Sequence, residues 1–219
     1  MAELTKLETK LAEVIGLAMA AQDATTKVAK LVQDGELTGQ LRTMTKEAAA
    51  AEKDATEVAA GFKGKKGAVL TEARAVKKKA AKMMSDYLDR DAEGLDGFEF
   101  LTMAESGEVG HWGVLGEMAK SAGSREVRSL VSKHLPIQRR HLRDATAGSL
   151  KLARAEDPTE TEGSSGGRRR SSSARSGSGS RASSGGARSS AGSRKTATRG
   201  STSRARSSRT GTTRRRSAG

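Results

Sequence analysis

The three histidines, with the acid and amide groups spaced around them, are the residues of this chain best suited to chemistry. Glu108 precedes His111 by three positions, and Gln138 precedes His141 by three. On a helix, residues i and i+3 share a face, so each pair can reach a common point. Glu108, His111 and His141 are therefore candidate ligands for a divalent ion. The same residues can instead form a buried hydrogen-bond network, because a carboxylate facing a histidine is satisfied without a metal. Gln138 supplies a neutral amide where an anionic donor would be needed to balance two divalent ions. The expectation is no cofactor, with one weakly bound divalent metal, iron or similar, as the alternative. Nothing else is arranged for catalysis, and the chain is expected not to be an enzyme. With no cysteine there is no disulfide, thiolate ligand or cysteine nucleophile. The glycines from Gly61 to Gly67 lack the Lys-Ser/Thr ending of a phosphate loop.

A second kind of chemistry, pairing with phosphate, is written into the C-terminal end. Residues 163–219 contain 14 Arg, one Lys and no acidic residue. That segment carries +15 and the whole chain +14, so residues 1–162 sum to −1. The cations are Arg168, Arg169, Arg170, Arg175, Arg181, Arg188, Arg194, Lys195, Arg199, Arg204, Arg206, Arg209, Arg214, Arg215 and Arg216. Guanidinium groups pair bidentately with phosphate oxygens. The rest of the segment is Ser, Gly, Thr and Ala, with no large apolar residue to offset the entropy of ordering it, so it is expected to be disordered. It offers no aromatic for base stacking and no element to read base edges, so its binding is expected to be electrostatic and independent of sequence. DNA is the expected partner, with RNA as the other polyanion the same chemistry would take. Met1-Ala2-Glu3-Leu4 lacks the basic start of a signal peptide, and no run of 18 apolar residues is present. The expected setting is cytoplasmic and nucleoid-associated, with no membrane partner.

The elements that must position these residues read as helices. Leu4, Leu11, Ala18, Thr25 and Val32 recur every seven residues, beside Leu7, Val14, Ala21 and Val28, which predicts one helix over 3–33. A second is predicted over 36–60, with rows Leu37, Met44, Ala51, Val58 and Leu41, Ala48, Ala55, Phe62. A third, over 68–91, is expected to turn Val69, Ala73, Val76, Ala80, Met83 and Tyr87 inward. The fourth, over 98–121, carries Leu101, Glu108, Leu115 and Ala122 in one row and Ala104, His111 and Met118 in the next. The fifth starts from Ser124 as N-cap and runs to about 155, with Pro136 expected to kink or split it. Its inward rows are Val127, His134, His141, Gly148 and Val131, Gln138, Ala145, Leu152. Long amphipathic helices with short connections argue for an antiparallel bundle. Lys77, Lys78 and Lys79, with Lys63, Lys65 and Lys66, would at most add a secondary phosphate-contacting patch.

The run Phe98-Glu99-Phe100-Leu101-Thr102-Met103-Ala104-Glu105-Ser106-Gly107-Glu108-Val109-Gly110-His111-Trp112, with Gln138-Arg139-Arg140-His141 and this helix order, resembles the ferritin-like superfamily over residues 3–155. The small bacterial members with an extra helix between the second and third long helices are the most similar. The resemblance implies an all-α antiparallel bundle of four long helices plus an extra one, frequent dimerisation, and iron or another redox metal in active members. Glu108, His111 and His141 match its ligand positions, while Gln138 departs from them. The expected organisation is a ferritin-like bundle over 1–157 and a disordered Arg/Ser/Gly-rich basic tail over 158–219. The expected function is histone-like DNA binding through the tail, with the bundle as folding unit and homodimer module. A ferritin-like metal-binding stress protein localised to DNA by its tail is the alternative.

Overall fold

A computed structural model of the chain describes residues 2–159. Among the described residues there are five helices and no strand: α1 (Lys6–Val28), α2 (Gly35–Ala60), α3 (Lys66–Tyr87), α4 (Gly94–Ser121) and α5 (Arg125–Ala153). The all-helical class expected from the heptad rows is the one observed. The cations of the C-terminal segment, Arg168 to Arg216, and the expected disorder from residue 160 onward lie outside the described residues.

The helix starts follow local chemistry. The first backbone N–H groups of a helix have no partner within it, and short polar side chains satisfy them. Thr5 and Glu8 form a reciprocal box at α1, with Thr5 N–H donating to Glu8 Oε2 at 2.7 Å. Asp34 accepts from the backbone N–H groups of Glu36 and Leu37. Ser124, the expected cap of α5, accepts from Val127 N–H at 3.4 Å. The expected interruption at Pro136 does not occur, and α5 is one helix through it. Proline removes a single intrahelical donor. The buried rows on both sides of it, Val127 and Val131 before and His141 and Ala145 after, hold the two halves in line.

α1, α2, α5 and α4 form a closed ring of packed neighbours, and α3 lies against the outside of α1. Cross-helix contacts fix the directions. Lys151, Arg140 and Lys133 of α5 meet Glu36, Glu47 and Asp54 of α2 in reverse order, so the two run antiparallel. α4 runs antiparallel to α1, with His111 beside Glu13 and Gly97 beside Val28. α3 runs parallel to α1: Lys65, Ala73 and Lys77 meet Glu8, Gly16 and Asp23 in the same order. Gly16 is required where they cross, because a Cβ there would stand 2.4 Å from the Ala73 carbonyl oxygen.

The core falls into two apolar clusters. One gathers Leu11, Ile15, Ala55, Trp112, Leu115 and Val127, and the other Val28, Leu41, Phe98, Leu101 and Ala145. On α4 and α5 the residues between them are polar, and they define the candidate site. Two expected rows differ from those observed. On α3 only Val69 and Ala73 are buried, while Met83 and Tyr87 are exposed, because α3 covers α1 from outside and has no second layer over its C-terminal half. On α4 the row that accompanies Leu101, Glu108 and Leu115 is Phe98, Glu105, Trp112 and Ala119 rather than Ala104, His111 and Met118.

Candidate functional site

The polar layer is built chiefly from α2, α4 and α5. Glu105, Glu108, His134, Gln138 and His141 are each at least 97 % buried, with relative exposures of 1–3 %. α5 places His134, Gln138 and His141 on one face because they recur at i, i+4 and i+7. α2 answers with Asp54 and Glu47, which are spaced by seven like the histidines they meet. His134 Nε2 lies 2.8 Å from Asp54 Oδ2, and His141 Nε2 lies 2.7 Å from Glu47 Oε2. Each acid also takes the base just before the histidine: Lys133 Nζ donates to Asp54 at 2.6 Å, and Arg140 donates to Glu47. A basic-His dipeptide therefore clamps a carboxylate twice along the same helix pair.

Charge within the layer follows from these partners. Burial opposes ionisation of Glu47, but Arg140 and His141 outweigh it and hold the carboxyl below its usual range. The Lys133 hydrogen bond, against a burial penalty and with help from His134, does the same for Asp54. Burial pushes His141 below the ordinary imidazole value despite its bond to Glu47, so its ring is neutral at pH 7. That leaves Nε2–H donating to Glu47 and Nδ1 facing Glu105 Oε2 at 3.7 Å, too far for a hydrogen bond. Glu105 is pushed up to about 9, by burial first and the Glu108 carboxyl second, and burial pushes Glu108 up to about 8. Both are carboxylic acids at neutral pH.

Not every polar atom of the layer is satisfied. Glu105 Oε2, Glu108 Oε2, Trp112 Nε1, His134 Nδ1 and both amide atoms of Gln138 are buried without a hydrogen-bond partner in the protein. Such groups are rare in folded proteins, and clusters of them mark places where something other than packing shaped the sequence.

The expected ligand residues have different surroundings. Glu108 faces inward beside Glu105 and Trp112, and His141 is held by Glu47. His111, expected on the inward face, has a side chain 39 % exposed, and its Nδ1 lies 2.9 Å from Glu13 Oε2 of α1. Among the described residues no three His, Asp or Glu side chains converge as a metal-holding group. The carboxylates that do meet the histidines, Glu13, Glu47 and Asp54, occupy flanks of the apolar rows and reach inward along their own side chains. A signal for two of them was present: the Glu47–Asp54 spacing equals the His134–His141 spacing, as an antiparallel pair of helices requires.

On its other side, α4 borders a cleft of about 290 Å³ closed by α1 and α3. Glu105 and Glu108 are among its lining residues, so the two acids form the seam between cleft and polar layer. No helix among the described residues is long and apolar enough to cross a membrane. Compared with known proteins, the chain matches no described family, no curated protein and no solved structure.

Proposed function

We propose that this protein binds nucleic acid, DNA foremost, without sequence preference, in the manner of a nucleoid-associated, histone-like protein. The observation that carries the reading is the division of charge: +15 in residues 163–219 against −1 in residues 1–162. A polycation of this kind binds by releasing counterions from phosphates, which needs no shaped pocket. The helical unit adds indirect support. Lys65, Lys77, Lys133, Arg140 and Lys151 are each engaged by an acid of another helix, so part of its positive charge is already paired.

The helical unit is read as a ferritin-like bundle serving as folding and homodimer module. Its support is the closed ring of α1, α2, α5 and α4 with α3 linking the second and fourth elements. The metal-binding alternative remains the second reading, with His111 beside Glu13 and His141 beside Glu47. A stoichiometric ion in the purified protein, lost on His111→Ala, would favour it.

Removing residues 163–219 tests the assignment. Gel retardation of duplex DNA should disappear for the truncated chain, and full retardation by the helical unit alone would overturn the proposal. For the full chain, if about ten cations meet phosphates, log K against log salt should have a slope on the order of −9. Sequencing the nucleic acid that co-purifies separates DNA from RNA.

A further inference from the structure

The cleft between α1, α3 and α4 has a composition that packing alone does not explain. Its walls are Ala, Leu and Met side chains, and Met83 and Met103 at 38 % relative exposure leave apolar surface open to solvent. A surface of this kind takes an apolar guest, and methionine adapts to irregular shapes. The ionisable groups among its lining residues are the acids Asp23, Glu105 and Glu108, with His111 beside them and no Lys or Arg. That absence stands out in a chain holding 40 Lys and Arg. Asp23 is already engaged by Lys77 at 2.9 Å. Glu105 and Glu108 have no such partner, and each leaves a buried carboxyl oxygen unbonded.

We propose that this cleft binds a small apolar molecule bearing an amine, its alkyl part against the Ala and Met walls and its ammonium group against Glu105 and Glu108. Burial keeps both carboxyls protonated while the cleft is empty, and an ammonium group brings three donors and a positive charge, so that one acid gives up its proton to solvent and pairs with it. A neutral alcohol of the same length satisfies at most part of that demand and neutralises nothing. The ion pair formed on loss of that proton singles out an amine over a second copy of the chain, which would have to bring a buried cation of its own. The proposal does not rest on nucleic-acid binding by residues 163–219, since the lining residues of the cleft all fall between Leu17 and His111.

Isothermal titration of the full chain with n-octylamine at pH 7, alongside n-octanol, tests this. Octylamine should bind saturably at one site and more tightly than octanol. The double change Glu105→Gln with Glu108→Gln should weaken octylamine by about tenfold or more, the loss of a charge-assisted hydrogen bond. Ala104→Trp, which fills the cleft and leaves both acids in place, should abolish binding while the far-ultraviolet circular dichroism stays that of the parent. The proposal is overturned if octylamine does not bind, if octanol binds equally well, or if neither variant alters its affinity. Self-association in sedimentation that Ala104→Trp abolishes would assign the cleft to a second copy and overturn it as well.

Discussion

α4 has two working faces, and they are packed to different standards. Around Phe98 and Trp112 its α5 face is tight, with both rings sealed and Gly148 leaving no room for a methyl group against Phe98, while a shallow depression opens near Gly116 and Lys120. Toward α3 it is open: Met103 is partly exposed, and a Cβ on Gly107 would meet nothing within 4 Å. Both faces belong to one helix of similar composition throughout, so the difference comes from the partners. α5 brings a continuous buried stripe from Val127 to Gly148, while α3 brings buried residues only near its start. A protein that needed α4 only as a structural strut would gain by closing the second face. Glu105 and Glu108 lie at the boundary, where a filled apolar core would have been the more stable choice.

The largest effect should come from that boundary. Unfolded, both acids titrate near their ordinary value of 4.5, and folded, near 9 and 8. Folding therefore takes up protons between those values. The stability they allow is complete below about pH 4.5 and is lost as pH rises through 8 to 9. Glu47 and Asp54 act oppositely, since their folded values are depressed and their contribution is lost as pH falls. Thermal melts across pH should thus show a mildly acidic optimum and a steep alkaline decline, worth on the order of several kcal/mol for a buried unpaired charge. Glu105→Gln with Glu108→Gln should flatten the alkaline limb and spare the acid one. An alkaline decline that survives the double change would place the titration elsewhere and dissolve the boundary. Next in size, Trp112→Ala on the tight face should cost roughly 3–5 kcal/mol in urea denaturation. Met83→Ala on the open face should cost roughly 0.5 kcal/mol or less, and equal losses would mean the faces do not differ.

How far the sequence revealed this contrast depended on which periodicities were clean. The inward face of α5 was legible, though its continuity through Pro136 was not: His134, Gln138 and His141 sit in rows whose remaining members are Val, Ala, Gly and Leu. α4 was half legible. Gly107, Gly110, Gly113 and Gly116 blur the difference between its faces, and Glu105 made the true companion row look polar, which moved the inward assignment onto His111. The histidine partners were hidden for another reason. Glu47 and Asp54 reach the buried histidines from flanking positions, and Glu13 meets the part-exposed His111; a row-by-row reading records where a Cβ points, not where a carboxylate ends. The open half of α3 could not be read at all, because Met83 and Tyr87 have the periodicity of buried residues and only the absence of a covering layer exposes them.

Two glycine substitutions give the most direct comparison of the faces. In Gly148→Ala the new methyl would stand 2.2 Å from Phe98 Cε1, and that ring, only 1 % exposed, has nowhere to turn. Overpacking of this kind should cost about 1–3 kcal/mol, more than alanine gains over glycine in helix propensity. In Gly107→Ala the methyl meets no atom, so propensity acts alone and should stabilise by roughly 0.5–1 kcal/mol. The same chemical change would then carry opposite signs on the two sides of one helix, read from denaturation midpoints in a single buffer. If Gly107→Ala destabilised instead, the cleft would be narrower than the packing of α3 against α1 and α4 allows, and the space proposed for an apolar amine would not exist.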